Sequence, residues 1–248
     1  MIILYDLAGR DPNKCWSSNV WKARYVLNYK KLPYRTIYLG LEEVDGIIKE
    51  AGIPPSRLKP DGTPLHTVPS IIDDATGERV TDSYAIAEYL DKQYPDTPKA
   101  FPQGTEALQA AFYQQFNERN NAFFVLAIPH IANMFSKQAS LEHFSRRIFA
   151  FSGKSPDQIR PVGEELEKLW EKAFGFFDEL DGWYGKSSGA FLAGDAPSFG
   201  DFTVAAALKG MKIVFGEDEE HWVKMTKANN GRWSKLLNDL EIYASDEN

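Results

Sequence analysis

The stretch Thr67-Val68-Pro69-Ser70-Ile71-Ile72 decides how the first hundred residues fold. It is typical of a buried strand, yet it contains a proline, which central strands avoid because proline has no N–H to donate to the ladder. A cis bond between Val68 and Pro69 would resolve this conflict. The N–H and C=O of Val68 would then point out of the sheet, where another peptide backbone can pair with them.

A second short motif, Asp82-Ser83, precedes a helix predicted from Tyr84 to Tyr94. The free N–H groups and the positive end of the dipole at a helix start favour a carboxylate, and the Ser83 hydroxyl adds a donor. Asp82 can hold an ammonium group. Taken alone, this dipeptide at a helix start is most often a plain N-cap. Beside a backbone-pairing residue, it predicts a site for a tripeptide with a γ-linked glutamate.

The composition is that of an ordinary globular protein, with 248 residues, 43% hydrophobic and 25% charged. The 28 basic and 35 acidic residues leave a formal charge of -7, which argues against a general nucleic-acid surface. No apolar stretch reaches the roughly 18 residues that a membrane span needs. The N-terminus does not resemble a signal peptide, so we expect a cytoplasmic protein without membrane partners. A single cysteine, Cys15, and four histidines without ligand spacing predict no disulfide and no metal.

Hydrophobic periodicity predicts an N-terminal α/β domain over residues 1–94. Apolar runs and turn signals predict strands at 2–7, 34–41, 68–73 and 78–80 and helices at 19–31, 44–49 and 84–94. The order βαβ followed by ββα is that of a thioredoxin-like domain with a mixed four-stranded sheet.

The remainder of the chain is predicted to be all α. Pro95, Pro98 and Pro102 mark a linker over residues 95–103. Helical periodicity then fills the second domain, 104–248, with long runs at 106–135, where we expect an interruption at Pro129, and at 156–184 and 202–215. Ser198 and Asp201 have the spacing of a capping box before the last of these runs, which is a folding role.

The order of these motifs resembles the glutathione site of the cytosolic glutathione transferases, in which a backbone-pairing residue and a cis-proline precede an acidic residue and a serine at a helix start. The resemblance covers nearly the whole chain. Residues 17–25, Ser-Ser-Asn-Val-Trp-Lys-Ala-Arg-Tyr, also resemble the first-helix motif of the fungal etherase-like class (fungal-specific class A), related to the bacterial β-etherases. The resemblance to the glutathione transferases implies that glutathione is the cosubstrate and that the protein is a homodimer.

Use of glutathione requires its thiolate, which a hydroxyl at a helix N-terminus can stabilise. On the resemblance, Ser17 takes the catalytic serine position. Ser18 stands where the class usually has proline, so it is a second candidate for a glutathione contact. The alternative is that a serine here only caps the helix. Cys15 lies two residues before the position of the nucleophile in cysteine-dependent members, so it is expected to be a buried apolar residue, with mixed-disulfide chemistry as a minor alternative.

The remaining glutathione contacts follow the same resemblance. Val68 supplies the backbone pair beside Pro69, and Asp82 and Ser83 hold the γ-glutamyl head. Thr67 and, as an alternative, His66 face the glycyl end. Arg57 and Lys59 are further alternatives for its carboxylate, although each is typical of a solvated surface charge.

An apolar wall for the electrophile is predicted at a cleft between the domains. Most aromatic residues at helical spacing belong to the core, but a fraction facing the cleft would suit flat, phenolic compounds. The candidates are Trp16, Trp21, Tyr113, Phe116, Asn117 and Phe123. The sequence therefore predicts a detoxifying glutathione transferase, with peroxidase activity as an addition. The alternatives are a ligandin-type carrier of aromatic compounds and a scaffold that has lost the chemistry.

Overall fold

The computed structural model describes residues 1–10, 15–59 and 61–245. The chain forms two compact units. The first contains Met1–Ala100 together with Phe135–His143 and Ile242–Asn248, and the second contains Phe101–Met134 and Phe144–Glu241. Two short segments distant in sequence thus belong to the first unit.

The first unit is built on a mixed four-stranded sheet, as predicted. Its strands are β1 (Ile2–Leu7), β2 (Tyr34–Leu39), β5 (Ser70–Asp73) and β6 (Arg79–Thr81), and their order across the sheet is β2-β1-β5-β6. β1 runs parallel to β2 and antiparallel to β5, which pairs antiparallel with β6. Two-residue strands β3 (Arg57–Leu58) and β4 (Pro64–Leu65) form a separate hairpin.

Three helices complete the first unit: α1 (Ser18–Tyr29), α2 (Val44–Glu50) and α3 (Ser83–Gln93). Ile3 and Tyr5 of β1 pack in one buried cluster with Val44 and Ile48 of α2, while α1 packs against α3. Because β1 lies between two strands and is buried along nearly its whole length, it needs the near-continuous apolar sequence that identified it.

Specific hydrogen bonds attach the distant segments to the first unit. The Asn28 side chain donates 2.8 Å hydrogen bonds to the carbonyls of Tyr243 and Ser245. Lys137 forms a 2.8 Å ion pair with Glu43, and the Leu41 N–H donates to Ser140 Oγ at 3.1 Å. No local sequence pattern predicts these contacts, because each joins residues far apart in sequence.

The second unit is helical. Its helices are α4 (Glu106–Arg119), α5 (Asn121–Ile131), α7 (Pro156–Ile159), α8 (Glu164–Tyr184), α9 (Phe199–Phe215) and α10 (Glu220–Leu240), and α6 (Gln138–Ser152) connects segments of both units. The predicted run 106–135 is divided at Asn120, a residue type that favours turns, whereas Pro129 lies inside α5 without ending it. Among the residues described, none of the helices has both the length and the apolar character to cross a membrane.

Candidate active site

The cis-proline turn has the predicted form. The Val68–Pro69 bond is cis, and β5 begins only at Ser70. The Ser70 hydroxyl lies 2.7 Å from the Thr67 carbonyl and 2.8 Å from Thr81 Oγ1, so it ties the turn to β6. Within the described part of the chain, the N–H and C=O of Val68 make no backbone hydrogen bond. The Val68 main chain is therefore available to pair with an added strand.

The second motif lies directly against the first. The Asp82 N–H donates a 3.2 Å hydrogen bond to the Pro69 carbonyl. Asp82 is the N-cap of α3, where its Oδ1 accepts hydrogen bonds from the N–H groups of Tyr84 (2.9 Å) and Ala85 (3.3 Å). Its φ of 80° is a conformation that residues with a Cβ rarely adopt. This backbone bond joins the N-terminus of α3 to the cis-proline turn that contains Val68.

Ser83 is the first residue of α3 and is buried. It follows Asp82 at the positive end of the helix dipole, where a carboxylate ligand is stabilised. Asp82 and Ser83 thus adjoin Val68 and Pro69, and their role as glutathione contacts stays a prediction.

Ser17 is the N-cap of α1 and is nearly buried. Its carbonyl accepts hydrogen bonds from the N–H groups of Val20 and Trp21, both at 3.0 Å, but its side chain makes no capping hydrogen bond. Ser18, the first helical residue, is half-buried. The Ser17 hydroxyl thus has no capping role in the described structure, and its role as donor to a thiolate stays a prediction.

The two sides of α1 carry different buried cations. Lys22, one turn after Ser18, is buried, and burial lowers its pKa to about 8 against the opposing attraction of the Asp82 charge. Arg24 instead turns to β1, where its guanidinium donates a 2.8 Å hydrogen bond to Asp6. Burial raises the pKa of Asp6 to about 6, against the pull of Arg24. Neither of these two interactions was predicted from the sequence. Asp6, a charged residue inside the apolar run of β1, was the signal that could have indicated the ion pair with Arg24.

Cys15 is buried with its thiol in a hydrogen bond. Its Sγ lies 2.9 Å from the Tyr38 hydroxyl, and burial raises the pKa of that phenol above its usual range. The Cys15 carbonyl accepts a 2.7 Å hydrogen bond from the indole of Trp21. These contacts match the expectation of a small buried residue.

The residues considered for the glycyl end differ in their surroundings. His66 is buried, with Nδ1 3.1 Å from Asp45 Oδ1, so its ring already faces a carboxylate. Thr67 is half-buried in the turn before Val68. Arg57 is exposed and Lys59 is half-exposed. Of these residues, Thr67 is next to the group formed by Val68 and Asp82.

Trp16 and Trp21 are packing residues of the first unit. Trp16 is buried with its ring edge-on to Phe135, 5.4 Å between centroids. Trp21 is buried with its ring 5.6 Å from Tyr25. Both rings are buried in the first unit, and the prediction that they line a substrate site stays a prediction.

The aromatic candidates of the second unit divide into two groups. Phe116 and Phe123 are 3% and 4% exposed. Phe116 packs 5.5 Å from Phe176, and Phe123 packs 5.2 Å from Phe177. These two rings are packed in the core of the second unit, and their place in a substrate wall stays a prediction. Tyr113 is half-buried with its ring 5.3 Å from that of Phe199, and Asn117 is exposed; their place in a substrate site stays a prediction.

The residues that the structure describes contain no group of three or more His, Cys, Asp or Glu side chains placed to hold a metal ion.

Comparison with known proteins identifies the family. Residues 16–93 match the family model of the glutathione S-transferase N-terminal domain, and residues 107–243 match that of the C-terminal domain. A glutathione S-transferase-like protein of Aspergillus flavus is 29% identical over 237 residues, covering 90% of this chain and 83% of the relative.

Two solved structures from fungi are similar over nearly the full length. A glutathione S-transferase of Ceriporiopsis subvermispora, crystallised in complex with glutathione, has 36% identity and a TM-score of 0.93, with 98% of each chain covered. A glutathione transferase of Phanerochaete chrysosporium has 32% identity and a TM-score of 0.90, covering 98% of this chain and 96% of that one. The chain belongs to the glutathione S-transferase family.

Proposed function

We propose that this protein binds glutathione and transfers it, as the thiolate, to hydrophobic electrophiles. The observation that carries the proposal is the hydrogen bond from the Asp82 N–H to the Pro69 carbonyl. It brings a free segment of main chain and a charged helix N-terminus into one site. A γ-glutamyl tripeptide has the two matching parts, a peptide backbone and a free amino-acid head.

Binding of the peptide uses three kinds of contact. The Val68 main chain pairs with the cysteinyl backbone of glutathione as a short antiparallel ladder. Asp82 accepts from the α-ammonium, and Ser83 with the first N–H groups of α3 donates to the α-carboxylate. Thr67 lies next along the chain toward the glycyl end. The relative of Ceriporiopsis subvermispora, which was crystallised with glutathione, supports this choice of ligand.

The chemical step is nucleophilic attack by sulfur. The thiol of bound glutathione releases its proton to water, and the Ser17 hydroxyl donates a hydrogen bond to the resulting thiolate near the N-terminus of α1. The sulfur electron pair then forms a bond to an electrophilic carbon, and the leaving group departs with the bonding electrons. Ser17 is favoured because its hydroxyl is not engaged in capping; Ser18 is the second candidate.

The electrophile in this proposal is aromatic or phenol-derived. Tyr113 offers a partly accessible ring and Asn117 an exposed amide for such a compound. The resemblance of the α1 sequence to the etherase-like class points to the same substrate chemistry. Reduction of hydroperoxides by the same thiolate would be an additional activity, and we expect a homodimer as the working form.

The test combines binding with turnover. Retention on immobilised glutathione measures the site, and steady-state conjugation of a chloronitrobenzene or an isothiocyanate measures chemistry. Ser17→Ala should lower the conjugation rate at least tenfold near neutral pH, since one charge-assisted hydrogen bond contributes about 1.5–3 kcal/mol. Ser136→Ala, at an exposed serine, is the matched control.

The outcomes separate the candidate functions. Equal rates for the wild type and Ser17→Ala, with a loss in Ser18→Ala, would transfer the role to Ser18. Retention of glutathione and of aromatic dyes without turnover would identify a carrier. Failure to retain glutathione at all would contradict the proposed site.

A further inference from the structure

The C-terminal end of α6 carries two large apolar side chains that the described part of the protein does not cover. Along this helix, Ser140, Phe144 and Ile148 recur at helical spacing and are buried, so they form its packing stripe. Phe149 and Phe151, by contrast, are 59% and 84% exposed. The outward positions of an amphipathic helix are normally polar, and neighbouring exposed rings are typical of a surface that meets another partner.

The turn that follows α6 is held by specific hydrogen bonds. The Gly153 N–H donates a 2.7 Å hydrogen bond to the Phe149 carbonyl, and the Ser152 hydroxyl lies 3.1 Å from the Lys154 carbonyl, to which it donates. Ser155 then begins α7 with a capping box. The two exposed rings are therefore carried by a hydrogen-bonded connection between two helices.

The charge of this segment is opposite in sign to that of the whole chain. Residues 146–162 contain four basic residues and one acidic residue, a formal charge of +3, whereas the whole chain carries -7. Arg146, Lys154 and Arg160 are exposed, and within the described residues they form no ion pair. A third large apolar residue, Val162, is 69% exposed just after α7. We refer to the following six residues as the α6–α7 patch: Arg146, Phe149, Phe151, Lys154, Arg160 and Val162.

The size of the α6–α7 patch distinguishes between kinds of partner. A phenylalanine presents roughly 200 Å² when fully exposed, so Phe149 and Phe151 together expose roughly 300 Å². A stable protein–protein interface needs about 800 Å² from each partner. A lipid surface needs less area, because a few apolar side chains enter the headgroup region while Lys and Arg contact acidic lipids.

We propose that the α6–α7 patch is a docking surface for bilayers that contain anionic phospholipids. Phe149 and Phe151 enter the headgroup region, and the three cations attract the acidic lipids around them. Such a contact lies on the membrane, so it agrees with the finding that none of the described helices can cross one. It departs from the expectation of no membrane partner, which considered membrane spans only. The inference does not depend on the proposed glutathione chemistry.

The experiment measures binding of the full-length chain to lipid vesicles by co-sedimentation. One set of vesicles contains phosphatidylcholine alone, and the other contains phosphatidylcholine with phosphatidylserine. The wild type should bind the vesicles with phosphatidylserine and leave the others unbound. This binding should weaken at least tenfold when the salt concentration rises from about 0.1 M to about 1 M, because the Debye length falls from about 10 Å to about 3 Å.

A first pair of variants tests the apolar part of the patch. Phe149→Ser/Phe151→Ser should bind the anionic vesicles at least tenfold more weakly, because the apolar area that enters the lipid is removed. Leu108→Ser, at a leucine of α4 that is 72% exposed, is the matched control and should bind like the wild type.

A second pair of variants tests the charges. Arg146→Gln/Lys154→Gln should lose about fivefold in affinity for each cation removed. Lys172→Gln/Lys186→Gln, at two other exposed positions of the second unit, removes the same charge from the chain and should retain the wild-type affinity.

The contrary results have different meanings. Equal binding of the wild type to both kinds of vesicle, or binding to neither, overturns the proposal without reference to any variant. Equal losses in the patch variants and in their controls also overturn it, because the effect would then not be local. If the wild type ignores vesicles and Phe149→Ser/Phe151→Ser changes the sedimentation coefficient of the protein, the patch is instead a contact between copies of this chain.

Discussion

The Arg24 guanidinium and the Asp6 carboxylate form a 2.8 Å ion pair with side chains that are 0% and 1% exposed. The pair joins β1 to α1, the helix whose N-cap is Ser17. Arg24 also donates 3.2 Å hydrogen bonds to the Tyr34 hydroxyl and to Thr36 Oγ1 of β2. The position of the proposed thiolate donor therefore depends on a buried charge network.

Breaking that network should have a pH-dependent cost. Arg24→Met leaves Asp6 as a buried carboxylate without its cation, and we expect a loss of about 3–5 kcal/mol of unfolding free energy near pH 8. Burial already raises the pKa of Asp6 to about 6 in the wild type, and it should raise it further without Arg24. A group with a raised folded pKa contributes stability at low pH that is lost as the pH rises through that pKa.

The loss of unfolding free energy in Arg24→Met should therefore become smaller as the pH falls toward the ordinary pKa of aspartate. Urea unfolding at several pH values, followed by tryptophan fluorescence, measures this. The double variant Arg24→Met/Asp6→Asn should be more stable near pH 8 than Arg24→Met alone. If the loss of unfolding free energy is the same at every pH, the buried Asp6 carboxylate is not its cause.

The charge of Asp82 can be separated from its capping role. Asn is also a good N-cap and tolerates a positive φ, so Asp82→Asn should change the unfolding free energy by less than about 1 kcal/mol. It removes the negative charge, so affinity for glutathione should fall about tenfold or more. Calorimetric titration checks the affinity, with the exposed Asp96→Asn as control. Unchanged affinity would show that Asp82 serves α3 alone.

The start of α9 depends on Ser198 and Asp201. Both are buried, and Asp201 Oδ2 accepts hydrogen bonds from the N–H and the hydroxyl of Ser198 at 2.9 and 2.7 Å. Ser198→Ala should cost about 1–2 kcal/mol of unfolding free energy. Asp201→Ala should cost more, since it also leaves the N–H of Leu192 without its acceptor. Equilibrium urea unfolding gives both values; a larger loss in Ser198→Ala would contradict this order.

The interruption of α10 leads to a further prediction. Asn229, Asn230 and Gly231 have left-handed backbone angles, with φ of 50°, 56° and 76°. The Asn229 side chain is fixed by bonds to Trp233 and Asp178, whereas Asn230 is exposed. Asn230→Gly should be neutral or stabilising, and Asn230→Val should lower the unfolding free energy by about 1–2 kcal/mol. Thermal unfolding compares the two variants. Equal Tm values for Asn230→Gly and Asn230→Val would show that the left-handed backbone angle does not destabilise a β-branched residue at this position.

Much of this molecule could be predicted from local sequence. The apolar run of β1, the turn around Val68-Pro69 and the Asp82-Ser83 helix start each specify one short element and its backbone geometry. Their order along the chain was sufficient for the thioredoxin-like unit and for the family. Predictions of long helices were less accurate, because Asn120 divides the run 106–135 and because helical periodicity does not reveal where a turn will be preferred.

Local sequence specifies which elements form and where the motifs proposed to bind glutathione lie, since strand alternation, helix caps and proline geometry act over a few neighbouring residues. Which side chains those elements bury, and against what, depends on the tertiary fold. That fold packs Trp16 against Phe135 and Phe116 against Phe176, and it sets Arg24 opposite Asp6. Helical periodicity groups residues on a face, but the neighbour of that face is fixed by packing between elements that are distant in the chain.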